Sequence, residues 1–348
     1  MRKINKSKRI QNPAFGISVL IILALLTLII SCKNDKPEPE GLTPYSISIP
    51  KGFPKMEIPD NNQPYEERVA LGRRLYYDPI LSNNGLSCSS CHWQKKGFTI
   101  PTTQGMPVLP HVNMAWKDIY MWDGREQGNL EDVMLFEVEE FFGTDISKLN
   151  KHPEYPELFA EAYNSNTITS HDVAKALAQF FRILISADSK YDRVMAGTES
   201  FSDKELKGYR IFSSEKSSCY HCHMPPLFTD SQLHNNGVDS TFENPENWGY
   251  FSTSRDSGQL SHMRTPTLRN LSLRNRFMHD GRYASIEEVV DFYNKGVNHS
   301  PSLDPVMVKS NGELRLGLTP EETEQLVAFL KTLTDSTFIT NKSLSNPN

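Results

Sequence analysis

Cys88-Ser89-Ser90-Cys91-His92 decides how the rest of the chain is read, because the pattern returns as Cys219-Tyr220-His221-Cys222-His223. The two copies take four of the five cysteines in 348 residues. Two thiols three positions apart on one turn reach both vinyl groups of a single haem, and the adjacent histidine is then placed to ligate its iron. A disulfide, a thioredoxin-like redox pair and half of a zinc site are the competing readings. Zinc would need the two pairs to converge on one metal, and a thioredoxin-like pair would need a βαβ context that the flanking sequence lacks. A histidine directly behind both pairs favours covalent haem at each, through Cys88, Cys91 and His92 and through Cys219, Cys222 and His223.

The chain is long enough for two domains, and 38% hydrophobic with 10% aromatic residues is enough to build cores around cofactors. Arg2, Lys3, Lys6, Lys8 and Arg9 precede an apolar run of 16 residues, Phe15 to Ile30, that leads into Ser31-Cys32. The run is short for a spanning helix, which needs about 20 apolar residues, so residues 1–31 read as a signal peptide, with an uncleaved anchor as the alternative. Small Ser31 before Cys32, with aliphatic residues before it, resembles the lipobox of bacterial lipoproteins, in which the cysteine is lipidated and becomes the new N-terminus. That reading accounts for the fifth cysteine. It predicts an exported lipoprotein held to the membrane by its lipid anchor, on the periplasmic or cell-surface side, where covalent haem attachment is also expected. Removing the leader leaves 32 basic against 42 acidic side chains, a formal charge of -10, which argues against nucleic acid as a partner.

Residues 32–63, rich in Pro, Lys, Asn and Glu, read as the lipidated N-terminus and a flexible tether. Folded sequence begins with Tyr65 to Tyr77, where Val69, Leu71, Leu75 and Tyr76 share one helical face before Asp78-Pro79 ends it. A second helix starts at Ser170-His171-Asp172-Val173 and runs to about Ala187, with Val173, Ala174, Leu177, Phe180, Phe181 and Leu184 on one side. Ser202-Asp203-Lys204-Glu205 fits a capping box, and Thr319-Pro320-Glu321-Glu322 an N-cap with proline in the first turn. The pattern predicts a mainly α fold with long loops around two cytochrome c-like domains, each with one covalent haem. Their expected bounds are 64–195 and 196–337, followed by a tail over 338–348.

An internal repeat supports the duplication. Asn113 is followed nine residues later by Trp122-Asp123-Gly124-Arg125, and Asn270 nine residues later by His279-Asp280-Gly281-Arg282. Leu130-Glu131-Asp132-Val133 then pairs with Ile286-Glu287-Glu288-Val289, which sets Tyr293 of the second half against Glu137 of the first. Both residues are expected on a helix crossing above a haem.

These motifs, with Leu71-Gly72-Arg73-Arg74-Leu75-Tyr76-Tyr77-Asp78-Pro79 and Thr265-Pro266-Thr267-Leu268-Arg269-Asn270, resemble the bacterial di-haem cytochrome c peroxidase family, which includes the methylamine dehydrogenase maturation enzyme. The resemblance runs from about residue 64 to Asp335. It implies a peroxidatic N-terminal haem, a C-terminal haem that passes or stores electrons, and one calcium ion between them. It further implies that His92 and His223 are proximal iron ligands, that Trp122 carries electrons between the haems, and that Asn113 ligates calcium with carbonyls near Thr265 and Pro266. The substrate implied is hydrogen peroxide and the electron donor a small cytochrome or cupredoxin. A homodimer is compatible with the resemblance.

Two positions depart from the family's peroxidases. Many of these carry methionine at the place of Tyr293, where the maturation enzyme has tyrosine; Met278 is the competing iron ligand. A phenolate is a hard anionic donor, so Tyr293 should lower that haem's potential. On the far side of the first haem the family's glutamine and proline positions read Val133 and Glu137 here. Glu137 is the first candidate for the acid–base group of peroxide cleavage and Glu140 the second, with Glu139 available if the gap is placed differently. No distal histidine is evident; His111 is the nearest candidate, and a satisfied structural histidine is the favoured reading there. The expected function is peroxide reduction. Two alternatives stand beside it, an oxidase that modifies a protein or organic substrate and a non-catalytic electron-transfer lipoprotein.

Overall fold

A pair of helices crossing at a glycine carries each cysteine motif. The computed structural model describes residues 39–103 and 105–347; the leader and Cys32 lie outside the described residues. In the first half, α1 (Glu66–Tyr77) buries Val69, Leu71, Gly72, Leu75 and Tyr76, and it stops where Pro79 can no longer supply an N–H. Helix α2 spans Leu130–Phe136 and α3 spans Ser170–Ile183, the latter opened by a capping box between Thr169 and Asp172. In the second half α4 (Asp203–Phe212) opens on the expected Ser202/Glu205 box. Helix α5 spans Ile286–Lys295, and α6 (Pro320–Lys331) opens on Thr319/Glu322 with Pro320 in its first turn. The strands found among the described residues are two short antiparallel pairs, β1 (Ile119–Tyr120) with β2 (Glu126–Gln127) and β3 (Leu233–His234) with β4 (Met263–Arg264). Among the described residues no helix is long and apolar enough to cross a membrane.

The halves repeat each other down to single contacts. Leu75, Tyr76, Phe98, Phe180 and Phe181 form the first core, and Phe212, Phe228, Leu326, Phe329 and Leu333 the second. Asn113 and Asn270 both adopt left-handed backbone, with φ of 53° and 60°. Asn113 N–H donates to Leu184 O at 3.0 Å and its Oδ1 accepts from Ser186 N at 2.8 Å; Asn270 N–H donates to Leu333 O at 3.0 Å and its Oδ1 accepts from Asp335 N at 2.8 Å. Each asparagine therefore ties the end of its half's last long helix to the loop behind the cysteine motif. The two brackets meet at Ser186, whose hydroxyl accepts from Asn270 Nδ2 at 3.0 Å and donates to Asp335 Oδ2 at 3.0 Å.

Four expectations change. Helix α3 ends at Ile183 rather than near Ala187, because Leu184 O and Ser186 N–H are committed to Asn113. Part of the expected tether is packed onto the body: Asn62 and Met56 are buried, Trp116 Nε1 donates to Pro54 O at 2.8 Å, and Phe53 lies edge-on to the Trp116 ring. The expected tail belongs to the first core, into which Phe338 and Leu344 insert, with the Tyr77 hydroxyl donating to Leu344 O at 2.7 Å. Finally, Tyr191 packs in the second core and Asp192 makes a two-pronged pair with Arg269, both at 2.8 Å, so the second half begins before residue 196.

The glycine crossings set how closely the helices approach. A methyl group at Gly72 would lie 1.9 Å from Ala176 O, and one at Gly208 would lie 1.9 Å from Gln325 O, so both helix pairs must separate to admit a side chain. Gly72→Ala and Gly208→Ala are each expected to lower unfolding stability by about 2–3 kcal/mol. Denaturant midpoints of the haem-loaded variants check this, and losses below about 0.5 kcal/mol, the usual scale of surface changes, would contradict the close crossing.

Candidate functional site

In both motifs the cysteines bracket one helical turn, Cys88–Cys91 and Cys219–Cys222, and none of the four is in a disulfide. The amide of the next histidine closes the turn: His92 N donates to Cys88 O and His223 N to Cys219 O, each at 3.0 Å. His92 Nδ1 lies 2.9 Å from Phe98 O, and His223 Nδ1 lies 3.2 Å from Phe228 O. Both acceptor residues are fully buried and left-handed, with φ of 57° and 53°, a strained conformation held by the core around it. Burial pushes both imidazoles down to about 4, so each is neutral, donates through Nδ1 and keeps Nε2 for a metal. The two cysteine pairs sit against separate cores, which removes the zinc reading.

Around the second motif a mainly apolar cavity holds about 1690 Å³ of unfilled space, the open water at its mouth included. Cys219, Cys222 and His223 line it together with Tyr293, Met278 and Trp122. Paired thiols, a neutral histidine, apolar walls and facing oxygen and sulfur donors fit a covalent haem. Asn236, which sequence reading did not single out, connects the two candidate ligands: its Nδ2 donates to the Tyr293 hydroxyl at 2.8 Å and lies 3.7 Å from Met278 Sδ. Burial pushes the Tyr293 phenol up, and the Asn236 bond opposes that shift. His234, also unforeseen, lines the same cavity and is clasped by Asp230 and Asp304, which raise it to about 9. Trp122 belongs to the first half of the repeat yet lines this second cavity, its Nε1 fixed on Pro107 O at 2.8 Å and its carbonyl accepting from Arg264 N at 2.8 Å.

The first motif faces an acid. Helix α2 passes directly into a π-type turn, Glu137–Phe141, in which Phe142 N donates to Glu137 O at 2.9 Å. Such turns widen a helix and re-aim its side chains, and they recur at functional sites. Burial pushes the Glu137 carboxyl up to about 7; Glu126, another acid that sequence reading missed, adds to the shift and Arg125 opposes it. A Glu137 charge in turn raises the Cys88 thiol, which puts the carboxyl within electrostatic reach of the first motif. Glu139 and Glu140 are exposed. His111 is not on the far side of this site: its ring stacks on His92 at 3.4 Å and 12°, and its Nδ1 lies 3.1 Å from the Tyr76 hydroxyl. Asn113 turns both polar atoms of its side chain to Ser186, donating to Ser186 O at 3.0 Å as well as accepting from its amide.

Two helical halves, each presenting paired thiols and a neutral histidine beside a core, define a c-type cytochrome of two haems. A family model described as di-haem cytochrome c peroxidase matches residues 66–200. The methylamine utilization protein MauG of Methylorubrum extorquens is 33% identical over 292 residues, covering 79% of this chain and 80% of that protein. The cytochrome-c peroxidase IdrP2 of Denitromonas iodatirespirans is 29% identical over 322 residues, covering 79% and 84%. Among solved structures, a MauG-like protein associated with microbial copper homeostasis superposes with a TM-score of 0.77 at 29% identity, covering 87% of this chain and 99% of that one. The chain belongs to the di-haem cytochrome c peroxidase family, whose members carry two haems.

Proposed function

We propose that the protein is an exported, lipid-anchored peroxidase that reduces hydrogen peroxide to water with electrons from a small cytochrome or cupredoxin. The observation that carries this reading is Glu137, a carboxyl raised to about 7 within electrostatic reach of Cys88, at the helix position where the other half has Tyr293. A haem held by Cys88, Cys91 and His92 would supply the iron at which the O–O bond is reduced. Glu137 takes the proton from the nearer peroxide oxygen and returns it to the departing one, so that two protons and two electrons convert peroxide into two waters. Its pKa suits both directions of transfer near neutral pH. Arg125 and Glu126 act on Glu137 with opposite sign and so tune it. Trp122, buried and fixed through its ring N–H, serves electron passage towards the second cavity. Tyr293 lines that cavity together with His223, and Asn236 donates to its oxygen.

Calcium is not part of this proposal; the oxygens expected to hold it also accept hydrogen bonds within the chain. Asn113 Oδ1 accepts from Ser186, and Thr265 O accepts from the Thr229 hydroxyl at 2.7 Å. The oxidase reading keeps one specific support. Tyr293 offers a hard anionic donor that favours oxidised states, which suits storage of an oxidising equivalent for a protein or organic substrate.

Glu137→Gln is expected to retain both haems and lose about a hundredfold or more in kcat/KM for peroxide, the usual scale for an acid–base group. In the parent, kcat/KM should rise with pH through about 7, as the carboxyl becomes the ionised proton acceptor, and that limb should vanish in the variant. The raised pKa also means that folding favours the neutral acid, so its stabilising contribution is full below the ordinary carboxylate range and is lost as pH rises through about 7. Parent-like peroxide rates with the limb intact would remove Glu137 from the chemistry. Exposed Glu140→Gln should stay near the parent rate.

For the second cavity, Tyr293→Met is expected to raise the C-terminal haem potential, because a neutral soft donor replaces an anionic hard one. Asn236→Leu should lower it by removing the donor to the Tyr293 oxygen. Met278→Leu should leave it in place. Spectroelectrochemical titration decides the matter, and a potential that responds to Met278→Leu but not to Tyr293→Phe would reassign the ligand.

A further inference from the structure

Three cations, buried Lys117 and Arg264 and half-buried Arg274, act on one another, and among the described residues no carboxylate balances them. Lys117 is 9% exposed and Arg264 4%, and Arg264 and Arg274 line the second cavity. Arg264 Nε donates to Met121 O at 3.0 Å and Arg274 Nη2 to Thr267 O at 2.8 Å, but Arg264 Nη1 is buried without a partner. The groups that act on Lys117 are Arg264 and Arg274, both repulsive, and no carboxylate acts on any member of the cluster. Burial pushes all three below their ordinary values; repulsion from neighbouring cations adds to the shift of Lys117 and Arg274, while the Tyr120 phenol opposes that of Arg264.

The cluster reaches both halves. Lys117 acts on His111, which stacks on His92, while Arg274 acts on His223. Arg264 N–H bonds to the Trp122 carbonyl, and Trp122 lines the same cavity as Arg264 and Arg274. Taking one charge out of water without a counter-charge costs several kcal/mol, and like charges in proximity add to that. The chain has acids in excess, yet it directs none of them here. A built site of this kind calls for anions brought by something other than the chain. Each haem of a c-type protein carries two propionate carboxylates.

We propose that Lys117, Arg264 and Arg274 form one anion site that receives propionate carboxylates from both haems, Lys117 serving the first and the two arginines the second. The inference rests on both motifs holding haem, not on the acid–base role of Glu137. The protein's own fixed charges then neutralise the facing haem edges, and a divalent cation at that point would be repelled by them. Removing one of the cations leaves a haem carboxylate uncompensated, which favours the oxidised iron and shifts the potential downward.

The test is a spectroelectrochemical titration of the full haem-loaded protein, with covalent haem counted in parallel. Lys117→Met should keep two haems and lower the N-terminal potential, Lys117→Arg should restore it, and Arg264→Met should lower the C-terminal potential. Prolonged dialysis of the parent against EGTA should move neither. If Lys117→Met does not mature, Lys117→Gln removes the charge while keeping a donor and gives the same reading. Unchanged potentials in both the lysine and the arginine variants, with two haems present, would overturn the site. An EGTA-induced shift reversed by added calcium would overturn it as well, by assigning the neutralising charge to a metal. Peroxide turnover measured on the same samples keeps the readings separate: a parent without turnover would sink the peroxidase proposal, while the potentials alone decide the anion site.

Discussion

A ring nitrogen tied to a main-chain carbonyl is the interaction on which both halves depend. His92 and His223 are neutral because they are buried, and their Nδ1 atoms are committed to Phe98 O and Phe228 O. Those carbonyls point the right way only because Phe98 and Phe228 hold left-handed backbone, which costs about 1–3 kcal/mol and persists where the surroundings over-determine it. The surroundings here are the helix crossings at Gly72 and Gly208, which pack Phe180 and Phe329 near the motifs, and the asparagine brackets that fix the loops behind them. Helix, loop and bracket together hold one imidazole orientation per half.

On this repeated frame the halves diverge at a few positions that matter for chemistry. Where the first half sets Glu137 on a π-type turn, the second sets Tyr293 on an ordinary helix; where the first has Trp122, the second has His279. The carboxyl is raised into the range useful for proton transfer. The phenol is walled in among apolar side chains and steadied by Asn236. Equivalent helices thus present a carboxyl in one half and a phenol in the other. Arg264 and Arg274 line the second cavity together with Trp122, whose carbonyl accepts from Arg264 N.

Much of this was legible in the sequence, and for identifiable reasons. The cysteine–histidine spacing, the capping boxes and the paired Asp-Gly-Arg motifs are local patterns whose geometry follows from a few adjacent residues, and they identified both motifs, the principal helices and the match of Glu137 with Tyr293. The segments read as tether and tail were misjudged because their buried residues, Met56, Asn62, Phe338 and Leu344, are isolated and show no helical or strand period. The end of α3 depended on Asn113, some 70 residues away in sequence, through Ser186. Asn236 and Lys117 carry no local signature, since their importance comes from what the fold brings against them. The stacking of His111 on the proximal ring likewise depends on the fold, although a satisfied structural histidine is what its sequence position favours.

The central claim is that the two halves offer their haems different far sides, an open one next to Glu137 and one closed by Tyr293. The electron paramagnetic resonance spectrum of the resting, fully ferric protein tests this most directly, because it reads the coordination of both irons at once. The account predicts one high-spin signal from an open N-terminal haem together with one low-spin signal from the C-terminal haem. Two low-spin signals, before and after reduction by one electron, would contradict it and leave an electron-transfer protein in its place.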